Sequence, residues 1–508
     1  MVDQRKYLII QAGGKGTRLR PYTLNRPKCL VNVGGKTILT RAVEMFPNHK
    51  IIVIGDYLFD TLRNYRDVFY PDIELVATDE IGTSSGIQQS LKYIPENFPV
   101  TIMWSDLLFT RPVDIDYEKN IIGLSRTFDC RYQYRDRQIV RETSNASGIA
   151  GYFSFINKGF LADVPRSGSL VSTWMRKKLS LFDDILWLDF AHEIGTCDSL
   201  HAFESLRERS RFFNSVVRDG NEIIKTSIDK KYKSLLKRES RWYDDVKKIS
   251  TNINIPEHHY VKEEDKLILE YIDGTCPSRL GGMERHRALE SACQELTNIH
   301  QIRKEPDKEL LDLMYTRKTL NRVQPYHRLL SQYDKRLIKI NGTFYQNPFC
   351  ESGGLTNKYK RSLLSLGCDF FTPIHGDPTF SNMIWDGENV WLIDPRGSFG
   401  NEEYSLYGDP RYDWAKLYYS AIDNYDEINS RNFKIEYGPE EIKIIATRHG
   451  DDIFWRHCQH ERKSILLILS TIWFSLVGYV IEDLDAMNFA FAKGILTYHE
   501  YLEEMRNE

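Results

Sequence analysis

The amino-acid sequence predicts two dissimilar halves: an α/β half on a parallel sheet, then an α+β half whose small strand-rich lobe precedes a large helical one. Three observations carry this. Short apolar runs alternate with amphipathic stretches from Lys6 to Asp106. Past Arg211 the texture switches to a hairpin pattern around Asp219-Gly220-Asn221, and from Arg279 onward helical periodicity takes over. At 508 residues the chain also exceeds the roughly 100–200 residues of an ordinary domain.

Taken in order, KYLII reads as a strand that enters the glycine loop QAGGKG. TILTRAVEMF reads as a helix, KIIVIGDY as a strand, FDTLRNYRDVF as a helix and IELVATD as a strand. GTSSGIQQSLKYI is a loop entering a helix, and VTIMWSD a strand ending in an acid. Apolar runs joined by helices are the pattern of a parallel sheet covered on both faces, which binds ligands beyond the carboxyl ends of its strands. Next, RFFNSVVRDGNEIIKTSID reads as two strands around a tight turn, KKYKSLLKRESRWYDDVKK as a charged helix and DKLILEYIDG as a strand. The helix GGMERHRALESACQELTNIHQ opens the helical region, which FTPIHGDPTFSNMIWDGENVWLIDPRG interrupts with a loop and a two-stranded ribbon. The polar run ESLRERSR marks the junction, giving domains 1–207, 208–274 and 275–508.

Hydrophobic residues at 41%, charged residues at 27% and a net charge of -3 describe a globular chain with apolar material for more than one core. They exclude a disordered chain or a coiled coil, and no basic excess exists to make nucleic acid the partner. Eight cysteines stand singly with no CxxC pair, which fits reduced cytoplasmic thiols better than disulfides or a zinc site. The start, MVDQRKYLIIQAGG, lacks the features of an export signal. SILLILSTIWFSLVGYVI, from Ser464 to Ile481, touches the lower length for a membrane span, but Ser, Thr and Gly interrupt it. It is expected to be a buried helix, with the protein cytoplasmic and not stably inserted in a membrane.

After the first strand, Gly13, Gly14 and Gly16 allow a tight turn that brings backbone N–H groups to phosphate oxygens, and Lys15, Arg18 and Lys28 add positive charge. Positioned donors of this kind stabilise charge developing on a phosphorus under attack. The spacing fits neither GxGxxG nor the Walker loop. GGKGTRLRPYT followed by RPKCLV resembles the signature of nucleotidyltransferases with the sugar-nucleotide pyrophosphorylase fold, a Rossmann-like, GT-A-like sheet. That resemblance implies attack by a phosphomonoester on the α-phosphate of an NTP, with release of pyrophosphate. It places Gly13, Gly14, Gly16, Thr17 and Arg18 around the triphosphate and Lys28 on a phosphate, with Arg18 and Lys28 catalytic. Gln11, Gly82, Thr83 and Gly86 fall where the family reads base and ribose. Asp106 matches the metal-binding Asp. Asp189 is expected as the second Mg2+ ligand, although Phe190 to Ile194 separate it from Gly195-Thr196; its other reading is a helix cap.

The second constellation lies in IHGDPTFSNMIWD and VWLIDPRG. An Asp that accepts a hydroxyl proton, with an Asn and a second Asp on magnesium, is the set that kinases use. HGDxxxxN with a downstream IDP resembles the aminoglycoside phosphotransferase and choline kinase superfamily, a two-lobed protein-kinase-like fold. The resemblance makes Asp377 the catalytic base and Asn382 and Asp394 the metal ligands. It puts Lys225 on the ATP phosphates with Glu239 as its ion-pair partner, and the backbone of Glu270 and Ile272 against adenine. Asp413 and His375 are expected to support the loop. No spacing converges aromatics into a cage for choline, and Arg396 beside the metal Asp favours a neutral or anionic alcohol.

Together the halves imply consecutive steps. ATP phosphorylates a small alcohol, polyol or sugar, and a second NTP, for which CTP is preferred, activates the product for surface polysaccharide or lipid decoration. Residues 107–180 and 304–365 carry no recognisable motif and are expected to form the acceptor pockets. Two other readings stay open: a transferase with a regulatory, non-catalytic kinase-like half, and a membrane-associated nucleotide-binding assembly factor. Oligomeric state is not legible.

Overall fold

The computed structural model describes residues 6–78, 82–178, 180–205, 214–227, 233–249, 252–349, 354–401 and 403–506. The chain divides into two compact units, residues 1–208 and 209–508. From residue 206 on, the junction expected at ESLRERSR lies outside the described residues, as does Cys350.

In the first unit, β1 (Lys6–Gln11) precedes α1 (Ile38–Met45), β2 (His49–Gly55), α2 (Phe59–Phe69), β3 (Glu74–Ala77), α3 (Thr83–Ser90) and β4 (Val100–Trp104). The strands β4, β1, β2 and β3 lie side by side and parallel. Their apolar centres, such as Leu8 to Ile10 and Ile52 to Ile54, are buried because helices cover both faces. Beyond β4 the prediction of a purely parallel sheet fails. Strands β5 (Leu107–Phe109), β6 (Ile121–Ser125), β7 (Gly148–Phe155), β8 (Asp184–Trp187) and β9 (Ala191–Glu193) follow. Of these, β7 runs antiparallel to both β4 and β6. The sheet is mixed because the segment after β4 returns without a crossover helix. The small pair β5 and β9, antiparallel with Leu107 opposite Glu193, stands at the carboxyl end of β4.

The second unit begins with an antiparallel sheet ordered β10 (Asn214–Asp219), β11 (Glu222–Ser227), β13 (Lys266–Glu270), β12 (His258–Val261). The helix α4 (Lys233–Ile249) accompanies it, burying Leu236, Trp242, Tyr243 and Val246 on one stripe. The helical region contains α5 (Gly282–Ile299) and α6 (Lys318–Val323), then the ribbon β14 (Met383–Trp385) and β15 (Val390–Leu392). It continues with α7 (Pro410–Ala421), α8 (Arg462–Val477) and α9 (Leu484–Glu504). Helix α8 packs against α7 and α9 and is buried from Ile465 to Phe474, with the Ser470 hydroxyl donating to the Leu467 carbonyl at 2.7 Å. The apolar run is thus a core helix, and no helix among the described residues is long and apolar enough to cross a membrane.

Candidate active sites

The glycine loop leaves β1 at Gln11 and turns back at Gly16, whose φ of 58° suits glycine; a Cβ there would lie 2.9 Å from the Thr23 methyl. Thr23 Oγ1 donates to the Gly16 carbonyl at 2.8 Å and holds the loop. This loop walls a cleft of about 730 Å³ beyond the carboxyl ends of β1, β2 and β4. Gln11, Gly13, Gly14, Gly16, Thr17, Arg18, Lys28, Gly82, Thr83 and Asp106 all line it. Gln11 Nε2 donates to the Thr83 carbonyl at 2.9 Å, while its buried Oε1 has no partner, leaving an acceptor on the wall expected to meet the base.

Lys28 and Asp106 form an ion pair through Asp106 Oδ2, each side chain 12% exposed. The other Asp106 oxygen, Oδ1, is buried with no partner. Glu193 stands nearby, its Oε1 3.5 Å from the Arg18 guanidinium. Burial first, and the Asp106 charge second, raise the Glu193 carboxyl above its ordinary value despite Lys28 and Arg18. Two carboxylates sharing charge, one with an orphaned oxygen, are the donor set that a hard divalent cation completes with phosphate oxygens and water.

Three sequence expectations need correction. Asp189 sits exposed in the turn between β8 and β9 and does not wall the cleft; it is not a helix cap either, since AHE forms β9. Glu193 takes its place because the short pairing of β5 with β9 carries that residue to Asp106. The signal was present, since Glu193 stands two residues before Gly195-Thr196, the spacing that Asp189 lacks. Lys15 is exposed and lies off the cleft wall, because the turn leaves it on the solvent side. Gly86 lines nothing: a Cβ there would lie 2.3 Å from Ile54 Cγ2, so it lets α3 approach the sheet. Gly82, by contrast, packs on the Gly168 carbonyl and shapes the rim. The motif-free stretch supplies part of the opposite wall, including Phe128, Asp129, Arg131 and Tyr132.

In the second unit Lys225, on β11, is buried, and its Nζ donates to Glu239 Oε1 of α4 at 2.6 Å and also contacts Asp394. Burial works against the ammonium, but Asp394 and Glu239 outweigh it and raise the Lys225 pKa. Asp394 follows β15 with φ 56°. The loop bearing Asp377 is fixed from behind. Asp413 accepts from the N–H groups of His375 and Gly376, each at 2.8 Å, and His375 Nε2 meets the Ile393 carbonyl at 3.0 Å. Trp242 of α4 donates to the Ile374 carbonyl at 2.7 Å. Asn382 Nδ2 donates to the Asp377 carbonyl at 2.9 Å, so the amide oxygen stays available to a cation. Burial opposes charge on Asp377, yet Lys416 and Arg396 hold its carboxyl below the ordinary value. At β13, the Glu270 N–H is taken by the Glu257 carbonyl at 2.8 Å, which removes it from any adenine contact; Ile272 lies buried just beyond. Sequence reasoning missed Lys416, whose Nζ lies 2.7 Å from Asp377 Oδ1, although it stands three residues after Asp413.

A glycine-loop cleft with a Lys-paired acid and a two-lobed unit with a Lys–Glu–Asp set define a nucleotidyltransferase domain and a phosphotransferase domain. Residues 8–122 match the MobA-like NTP transferase domain, and residues 203–444 match the phosphotransferase enzyme family, so the chain carries both domains. A Bifunctional protein GlmU of Methanococcus maripaludis is 32% identical over 123 residues, 23% of this chain and 29% of that protein. The CTP:phosphoglutamine cytidylyltransferase of Campylobacter jejuni is 41% identical over 69 residues, 13% of this chain and 26% of that protein. The chain thus spans under a third of the length of these curated relatives. The crystal structure of HddC from Yersinia pseudotuberculosis is similar at 20% identity and TM-score 0.34, over 40% of this chain and all of that one.

Proposed function

We propose that the chain phosphorylates a small alcohol, polyol or sugar with ATP and then joins the phosphorylated product to a nucleotide, releasing pyrophosphate. The observation that carries this reading is that both units have a complete charged set. Lys28, Asp106 and Glu193 meet at one glycine loop, and Lys225, Glu239 and Asp394 meet in the second unit, which also carries Asp377 paired with Lys416.

In the second unit the Asp377 carboxylate takes the proton of the acceptor hydroxyl, whose oxygen bonds to the γ-phosphorus of ATP as the bond to the β-bridging oxygen breaks. Lys225 anchors the phosphates, and Asn382 and Asp394 would hold magnesium. In the first unit an oxygen of that new phosphomonoester bonds to the α-phosphorus of the second NTP, and the bond to the departing pyrophosphate breaks. Loop N–H groups, Arg18 and Lys28 meet the charge that develops. Magnesium held by Asp106 and Glu193 neutralises phosphate charge when bound.

CTP is the preferred second nucleotide, in line with the Campylobacter relative, a CTP:phosphoglutamine cytidylyltransferase, and the product is an activated donor for surface polysaccharide or lipid decoration. The test supplies full-length Asp377→Asn protein with each of four NTPs and a panel of phosphorylated alcohols and sugars, and measures pyrophosphate release. Release with CTP and one phosphorylated class supports the reading. Release with another NTP alone removes the CTP preference, and none with any pair removes the transferase step.

A further inference from the structure

The acceptor side of the second unit is crowded with positive charge. Lys318 and Arg322 stand one turn apart on α6, Lys416 on α7, and Arg396 two residues beyond Asp394. Three of the four have visible work or a fixed place. Lys416 pairs with Asp377, Arg322 donates to the Gly478 carbonyl at 2.9 Å, and the Arg396 backbone N–H donates to the His375 carbonyl at 2.9 Å. Lys318 is different. Its ammonium lies 3.8 Å from Met314 Sδ and 5.8 Å from the Tyr412 ring centre, and among the described residues no carboxylate lies within ion-pair distance of it. Burial, then the charges of Arg396, Lys416 and Arg322, hold its pKa well below the usual lysine value, against the weaker pull of Asp377.

We infer that the alcohol phosphorylated here already carries an anionic group, a carboxylate or a phosphate, and that Lys318 seats that group while Asp377 faces the hydroxyl. A half-buried ammonium among other cations is costly unless an anion joins it. An amine-bearing acceptor would meet the same cations and be repelled. The triphosphate of ATP has its own lysine: Lys225 is acted on by Asp394 and Glu239, whereas Lys318 shares its field with Asp377, Lys416, Arg396 and Arg322. The stacked rings of Tyr419 and Tyr425, 4.3 Å apart, lie near Lys416, with Tyr419 buried beneath it.

This inference rests on the kinase reading, and the experiment separates the two. Calorimetric binding of MgADP to the full chain, lost in Asp394→Asn, tests the kinase reading by itself. With MgADP bound, glycerate, glycerol 3-phosphate, inorganic phosphate, glycerol and choline are titrated in turn. The anions bind, and glycerol and choline bind at least about tenfold more weakly. Glycerate against glycerol 3-phosphate decides between carboxylate and phosphate. Lys318→Met weakens anion binding about tenfold with MgADP binding unchanged, and Lys318→Arg restores it. Equal binding of choline, unchanged anion binding in Lys318→Met, weakened MgADP binding in that variant, or silence from all three anions each overturns the proposal. The last leaves MgADP binding, and with it the kinase reading, intact.

Discussion

The N–H of Ile194 donates to the carbonyl of Asp106 at 2.8 Å, and this backbone bond registers Glu193 beside the Asp106 carboxylate. Glu193 therefore owes its place to strand pairing, and its carboxylate stands on the cleft wall beside Arg18. Glu193→Gln is expected to lower nucleotidyl transfer about 100-fold by removing a charged cation donor, while Asp189→Asn stays within about twofold of the parent. Steady-state pyrophosphate release across a magnesium titration measures both. A large loss in Asp189→Asn with a mild one in Glu193→Gln would reverse the assignment.

The two units divide the chemistry, so their variants should be separable. Asp377→Asn is expected to reduce ATP-dependent phosphorylation by about 100-fold or more, because Asn cannot take the hydroxyl proton. The same variant should release pyrophosphate at the parent rate from supplied phosphorylated acceptor. Asp106→Asn should do the reverse. Loss of both reactions in either variant would mean that the sites depend on one another.

Much of this was legible in the sequence where function is local. GGKGTRLRPYT is one continuous segment, and HGDPTFSN holds Asp377 and Asn382 five positions apart, so spacing alone nearly fixes their geometry. The strands and helices up to Asp106 were readable because parallel strands are buried on both faces and leave unbroken apolar runs. Glu193 was missed since its role depends on β9 pairing with β5, a non-local choice that no periodicity announces. Lys318 and Lys416 lie 98 positions apart on separate helices, so no sequence spacing relates them. Gly86 looked like a ligand glycine because sequence shows the missing side chain and hides what fills the space.

Two glycines on the same segment should respond differently. At Gly86 a methyl group would press on Ile54 and Thr78 side chains 2.3 and 2.8 Å away, inside the sheet–helix interface. Gly86→Ala is expected to cost about 1–3 kcal/mol of stability through overpacking, exceeding the helix-propensity gain of about 1 kcal/mol, with the KM for NTP unchanged. At Gly82 the φ of 111° and a Cβ 2.2 Å from the Gly168 carbonyl force the rim to move. Gly82→Ala should raise the KM for NTP. Urea melts and initial rates on both variants distinguish them, and a KM rise in Gly86→Ala would return that residue to the binding surface.

Glu295 of α5 makes the stability of the second unit depend on pH. Its carboxylate accepts from the Asn254 N–H at 3.0 Å and from Asn254 Nδ2 at 2.9 Å, and the Asn254 carbonyl in turn accepts from the Leu392 N–H at 2.9 Å, two residues before Asp394. The side chain is buried, and that burial, only partly offset by these hydrogen bonds, raises its pKa from 4.5 to about 7. Between those values the native state holds a proton that the unfolded state has released, so stability falls as pH rises. The contribution is complete below about pH 4.5 and lost by about pH 7, on the order of 3 kcal/mol at 1.36 kcal/mol per unit. Glu295→Gln cannot titrate. It resembles the protonated acid, so it should lie within about 1 kcal/mol of the parent at pH 5 and then lose nothing further from this position up to pH 7.5. Subtracting the variant's denaturation free energies from those of the parent at each pH isolates the group. A difference that stays constant from pH 5 to 7.5 would show that Glu295 ionises at its ordinary value and that the Asn254–Leu392 link is insensitive to pH.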